Sequence, residues 1–147
     1  MTADTNWLKQ APNKPLFEDI LWSRPQNKRQ AGKLLIIGGS VHGFSAPAGA
    51  YGAAEKAGIG SIRVILPDAT KRMLGKLFLE AEFAPSTTSG SFSRQALAQL
   101  LDTADWTDGV LLAGDFGRNS ETAILLEAFV KKYRGPLSIT HDGIDYF

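Results

Sequence analysis

Lys33-Leu34-Leu35-Ile36-Ile37-Gly38-Gly39-Ser40-Val41-His42-Gly43-Phe44-Ser45-Ala46-Pro47 is the stretch on which the reading of this chain turns. It opens with an apolar run that shows no polar alternation. A strand of that kind has both faces buried, as in a parallel sheet covered on both sides. Small residues then lead to Gly60, followed by a second apolar run, Ser61-Ile62-Arg63-Val64-Ile65-Leu66. Strand, glycine loop, alanine-rich helix and strand make a βαβ unit. The loop leaves the carboxyl end of the first strand, the end at which open α/β sheets bind ligands.

The intervening helix is expected to start at Ala46 or Pro47, with Ser45 as its N-cap and proline in the first turn. Gly58 stands where a left-handed C-cap belongs. Ala48, Gly49, Ala50, Gly52, Ala53, Ala54 and Ala57 lie between. Side chains this small let a helix axis approach a sheet or a ligand, so this helix is expected to be buried. Downstream, Leu66-Pro67-Asp68 ends the second strand. Ala69 to Leu79 reads as a short helix with Lys71, Arg72 and Lys76 on a solvated face. Residues 85–91 form a Ser/Thr/Gly loop, and Ser93 precedes a helix whose Leu97, Leu100, Leu101 and Ala104 follow helical spacing. Asp108-Gly109 turns into a third buried strand, Val110-Leu111-Leu112-Ala113. A second glycine loop follows, Gly114-Asp115-Phe116-Gly117-Arg118-Asn119, then a helix from Asn119 or Ser120 to about Tyr133 and a fourth strand, 137–140.

The expected fold is therefore three-layer α/β, with parallel strands near 34–37, 62–66, 110–113 and 137–140 and helices on both faces. Residues 1–32 read as an arm with Trp7 and Trp22 as anchors. Within it, Phe17 to Trp22 form a short helical turn broken at Arg24-Pro25. Residues 33–147 form the domain. A doubly wound domain normally continues into a helix after its fourth strand, so the fold is expected to be incomplete on the C-terminal side.

The chain has 147 residues, which supports one domain. A formal net charge of +1 gives no electrostatic case for nucleic acid or an anionic membrane surface. Cysteine is absent, which excludes disulfides, thiolate chemistry and cysteine-based metal fingers. No charged leader runs into an apolar core at the N-terminus, and the default expectation is a cytoplasmic location.

The chemical signal is the pair of glycine loops, each between a buried strand and a helix. Backbone N–H groups at a helix start attract phosphate or carboxylate, and glycine lets the ligand come close. Two such loops in one register point to a nucleotide-like ligand or, equally, to two structural turns. The dinucleotide fingerprint fails because Ser40 stands at its second glycine, and the Walker loop fails because Phe44 stands at its lysine. Asp115-Phe116-Gly117 spells the kinase metal tripeptide without the rest of a kinase, and reads as coincidence. His42 and His141 both fall at strand carboxyl ends. Asp142, beside Gly143, can hold a ligand hydroxyl or a metal-bound water, or close an Asx-turn. No triad and no metal-ligand cluster follows from spacing, so no catalytic residue and no metal ligand is assigned.

Arg24-Pro25, Asn27-Lys28, the run Gly32 to Ser40, Ala46-Pro47, Ala53-Ala54 and Ala57-Gly58-Ile59-Gly60 together resemble the NAD(P)H-hydrate dehydratases of the ribokinase-like superfamily. Ser45 replaces the glycine that usually precedes Ala46-Pro47. Ala113 to Arg118 is similar to the family's glycine-proline-glycine-leucine-glycine loop, with Asp115 intruding. Ile139-Thr140-His141-Asp142 is similar to its aspartate-alanine-aspartate strand end, with the second aspartate kept. The resemblance implies a ribokinase-like fold and a repair enzyme that dehydrates NAD(P)H-hydrate with ADP or ATP and Mg2+. It implies that the Ala46 position, the second glycine loop and the aspartate strand end face that substrate. The candidate substrate-binding residues are thus Gly39, Ser40, His42, Ala46, Gly114, Gly117 and Asp142. The family's later segments, including its nucleotide loops and its catalytic aspartate, do not occur in these 147 residues. The chain is expected to keep part of the substrate wall without catalysing the reaction alone, and to self-associate or pair with a missing C-terminal half. Two other readings stay open: a ribokinase-like small-molecule kinase and a non-catalytic nucleotide-binding module.

Overall fold

The structure, a computed structural model, describes residues 11–147. Five parallel strands form one sheet: β1 (Lys33–Gly38), β2 (Ser61–Pro67), β3 (Ala81–Ala84), β4 (Gly109–Gly114) and β5 (Leu137–Ile139), in the order β3-β2-β1-β4-β5. All four pairings are parallel, with Ile36 opposite both Val64 and Leu111. The four expected strands are present. β3 is the addition. It is a four-residue edge strand in which only Ala84 is fully buried, so neither a long apolar run nor clean alternation announces it.

Strand alternation divides the core in two. Leu35, Ile37, Ile65, Val110 and Leu112 face one side and pack with α4 (Leu97–Asp105) and α5 (Ser120–Lys132) through Leu100, Ala104, Leu125, Leu126 and Phe129. Ile36, Val64, Leu66 and Ala113 face the other side, under α2 (Ser45–Ala57) and the short α3 (Lys71–Leu74). Leu35 to Ile37 are fully buried, as a run without alternation requires.

Three expectations are corrected. Helix α2 is not buried: Pro47 is its sole fully buried residue, because one side meets the sheet and nothing among the described residues covers the other. The helix expected over Ala69–Leu79 stops at Leu74, where Gly75 follows and breaks the run. Trp22 does not anchor the arm: it closes a short helix, α1 (Glu18–Trp22), with 88% of its surface exposed. Trp7 lies outside the described residues. The arm instead meets the sheet at residues 31–32, whose carbonyls accept from Gly60 N and Ser61 N.

Both expected helix ends at Gly58 and Asn119 hold. Gly58 takes φ +83° and returns its N–H to α2 carbonyls. Asn119 Oδ1 accepts from Glu121 N at 2.8 Å and Thr122 N at 3.4 Å.

Candidate functional site

Strand order sets the site. The chain runs outward from β1 through β2 to β3, then returns to place β4 on the other side of β1. The carboxyl ends of β1 and β4 therefore flank a topological switch point, where open α/β sheets take their ligands. Both glycine loops emerge there, one from the end of each strand. Gly39 N donates to Gly114 O at 2.9 Å, so the loops touch at their roots. The pairing also slips at this point, since Gly38 lies opposite Gly114 while Ile37 lies opposite Leu112. A Cβ on Gly38 would stand 2.6 Å from Gly114 O, which only glycine avoids.

Positive φ values gather on this rim: Gly39 (+85°), Gly114 (+107°), Asp115 (+60°), Gly117 (+75°) and His141 (+52°). Left-handed backbone at a non-glycine residue is uncommon, and such residues cluster where a site is built.

A third loop joins the other two. Residues 85–93 follow β3, and a sequence reading without β3 cannot place them on the rim. Val41 N donates to Gly90 O at 3.0 Å, and Asn119 Nδ2 donates to Ser89 Oγ at 2.7 Å. Ser40 and Ser91 are buried against Gly117, where a Cβ would come within 2.9 Å of Ser91 Oγ. The first loop is closed on itself by paired Ser40–Gly43 backbone bonds, and Ser40 Oγ accepts from His42 N at 3.3 Å.

The start of α2 departs from expectation. Ser45 is its first residue rather than its N-cap, and Phe44 at the cap position gives no side-chain bond. The cap comes from 69 residues away: Asp115 Oδ2 accepts from Ala46 N at 2.7 Å and from Ser45 Oγ at 3.3 Å. The residue that spoils the glycine loop pattern thus ties the two loops together.

The C-terminal segment 141–146 closes the rim. Thr140 Oγ1 donates to Ala113 O at 3.1 Å, holding the end of β5 to β4. Asp142 Oδ1 is buried and has no hydrogen-bond partner, so no Asx-turn satisfies it. The Tyr146 hydroxyl donates to Gly117 O, and its ring meets Phe116 edge-on at 6.3 Å. Burial, then the Asp142 charge, push the Tyr146 phenol above its ordinary value of 10.0. A phenol whose folded pKa exceeds the unfolded one stabilises fully below pH 10 and loses that contribution as pH rises through the folded value. Tyr146→Phe is expected to cost about 1 kcal/mol at neutral pH through the lost bond to Gly117 O. It should also flatten the fall in stability above about pH 10. Urea melts across that range check both.

Of the residues proposed from sequence, Gly39, Ser40, Gly114, Gly117 and Asp142 are brought together. Gly117 and Asp142 share a pocket of about 500 Å3 with Arg118, Asn119, Asp145 and Tyr146. Ala46 lies on the same rim, but Asp115 holds its amide. The exposed His42 reaches the cluster through its backbone. A larger cavity, about 710 Å3, opens at the amino end of β2 beside Lys28, Tyr51 and Glu55, on the rim opposite the glycine loops. Among the described residues no group of three or more His, Cys, Asp and Glu is placed to hold a metal ion.

Over 97 residues the chain is 32% identical to the bifunctional NAD(P)H-hydrate repair enzyme Nnr of Methanothermobacter thermautotrophicus, a match covering 66% of this chain and 18% of that protein. A crystallised ribokinase-like superfamily protein from Enterococcus faecalis superposes with a TM-score of 0.65 at 18% identity, over 84% of this chain and 42% of the other. This chain has the ribokinase-like fold. The matches span less than half the length of either relative. The repair enzyme is of the kind that the motifs around Gly38 and Ala46 resemble. No family model matches the chain. Among the described residues no helix is long and apolar enough to cross a membrane.

Proposed function

We propose that this ribokinase-like chain forms one wall of an NAD(P)H-hydrate-binding site in a nicotinamide-nucleotide repair dehydratase. The observation that carries the reading is the pairing of two glycine loops at the topological switch point, in a chain similar to part of a repair enzyme. In this reading the substrate lies along Gly39, Ser40, Gly114 and Gly117, and Asp142 Oδ1 receives a hydroxyl or amide donor. A buried carboxylate oxygen without a partner is costly in the free protein and gains when a ligand supplies the donor. ADP or ATP enters through the resemblance as phosphoryl donor. In this reading the phosphoryl step lies with the family's nucleotide loops and catalytic aspartate, motifs that these 147 residues do not carry. In this reading the edge strand β5 pairs with a second copy of the chain or with further strands, since an exposed sheet edge invites pairing.

The test separates binding from stability. NADH-hydrate is titrated into the purified chain by calorimetry, with NADH as the comparison. Asp142→Ala should leave thermal stability equal or higher, because it removes an unpaired buried oxygen. It should weaken NADH-hydrate at least about tenfold, or about 1.4 kcal/mol. Equal affinity of the variant and the parent would sink the assignment.

A further inference from the structure

The cavity between the second glycine loop and the segment 141–146 holds opposite charges that do not meet. It measures about 500 Å3, and Arg118, Asp142 and Asp145 line it around Tyr146. That volume falls among those of small-molecule sites, roughly 300–1,000 Å3. Its two walls are pinned to each other, because the Tyr146 hydroxyl donates to Gly117 O. All three charges act on that phenol. Burial raises its pKa most, the Asp142 and Asp145 charges raise it further, and the Arg118 charge lowers it. Yet the ion pairs among the described residues are Arg63–Glu82, Arg94–Glu121 and Lys131–Glu127. Arg118 is thus paired with neither carboxylate of its own cavity. On the facing wall Asp142 Oδ1 is buried without a donor. Unspent donors stand on one side and an unspent acceptor on the other.

We propose that this cavity takes a carboxamide, its N–H on Asp142 and its carbonyl oxygen on the Arg118 guanidinium. An amide is neutral and carries donor and acceptor side by side. A carboxylate would satisfy Arg118 but set a negative oxygen against Asp142 and Asp145, and like charges in one cavity repel. An ammonium group would satisfy Asp142 but face the Arg118 cation. The inference rests on the NAD(P)H-hydrate reading above and deepens it. The part of that nucleotide placed here is the carboxamide of its nicotinamide-derived ring, and Arg118 becomes a specificity-determining residue.

The probes are nicotinamide and nicotinate, which share a ring and differ in the group that the cavity reads. Each is titrated into the 15N-labelled chain while the Gly117 amide and the Arg118 side-chain N–H are followed. The parent should bind nicotinamide saturably and at least about tenfold more tightly than nicotinate. Asp142→Asn places an amide donor where the carboxylate stood and removes a negative charge. It should narrow that preference at least about tenfold, or reverse it. A merely structural Asp142 would weaken both probes alike and leave their order unchanged. Arg118→Ala, at an exposed position, should weaken nicotinamide at least about fivefold with thermal stability unchanged. A parent that binds neither probe or binds both equally, or an Asn variant that keeps the parent's preference, overturns the proposal. Should Asp142→Asn not fold, an Arg118→Ala chain that binds nicotinamide as the parent does overturns it equally. The NADH-hydrate reading fails or stands by its own titration, since these probes lack the rest of the nucleotide.

Discussion

Replacing Gly114 with alanine is expected to lower the unfolding free energy by about 2–6 kcal/mol, the sum of backbone strain and overpacking. Gly114 holds φ +107°, a region that L-residues rarely enter. Its new Cβ would stand 2.6 Å from His141 Cβ and 2.9 Å from Asp142 Oδ1. Neither neighbour can yield easily. His141 is itself at φ +52°, and Thr140 pins the segment to β4. Against a total stability of about 5–15 kcal/mol, such a loss approaches unfolding. Gly49→Ala is the internal control: that glycine lies within α2 with nothing inside 4 Å of a new Cβ. Alanine there should stabilise by about 0.5–1 kcal/mol. Urea unfolding of the three proteins decides the matter. A Gly114→Ala chain within about 1 kcal/mol of the parent would mean that the rim is looser than its geometry says.

Truncating Phe116 should cost about 3–5 kcal/mol, the usual loss for a fully buried phenylalanine. The ring has no exposed surface and packs on Phe92 at 6.2 Å, on Tyr146 at 6.3 Å and against Gly143. It is the apolar nail that fastens the second glycine loop to the core. Phe116→Ala should therefore act locally as well, with amide exchange at 114–119 rising more than in β1. Uniform acceleration across the sheet would show that Phe116 stabilises the core without holding the loop.

Asp115-Phe116-Gly117 shows how far the sequence could be read. As a tripeptide it matches a kinase metal motif, but in the fold its three residues do separate work. The letters did not say what each residue does instead. Phe116 is core, Gly117 makes room for Ser91 and Ser40, and Asp115 caps a helix that begins 70 positions earlier. Loop 85–93 stayed unplaced for a similar reason. Its position follows from β3, a short edge strand whose burial comes from pairing with β2 rather than from its own pattern.

The sequence alone determined the parallel α/β class, four of the five strands, the left-handed end of α2 at Gly58 and the two loops that could carry a site. These are local properties. An unalternating apolar run is buried on both faces wherever it lies, and a glycine after a helix supplies positive φ without help from elsewhere. Only the tertiary structure decided that both loops share a switch point, that Asp115 occupies the Ala46 amide, and that Asp142 Oδ1 is buried without a donor. Each of these depends on strand order or on contacts between residues tens of positions apart. Periodicity carries no information about such contacts, because it records which face of an element is wet and not what lies opposite it.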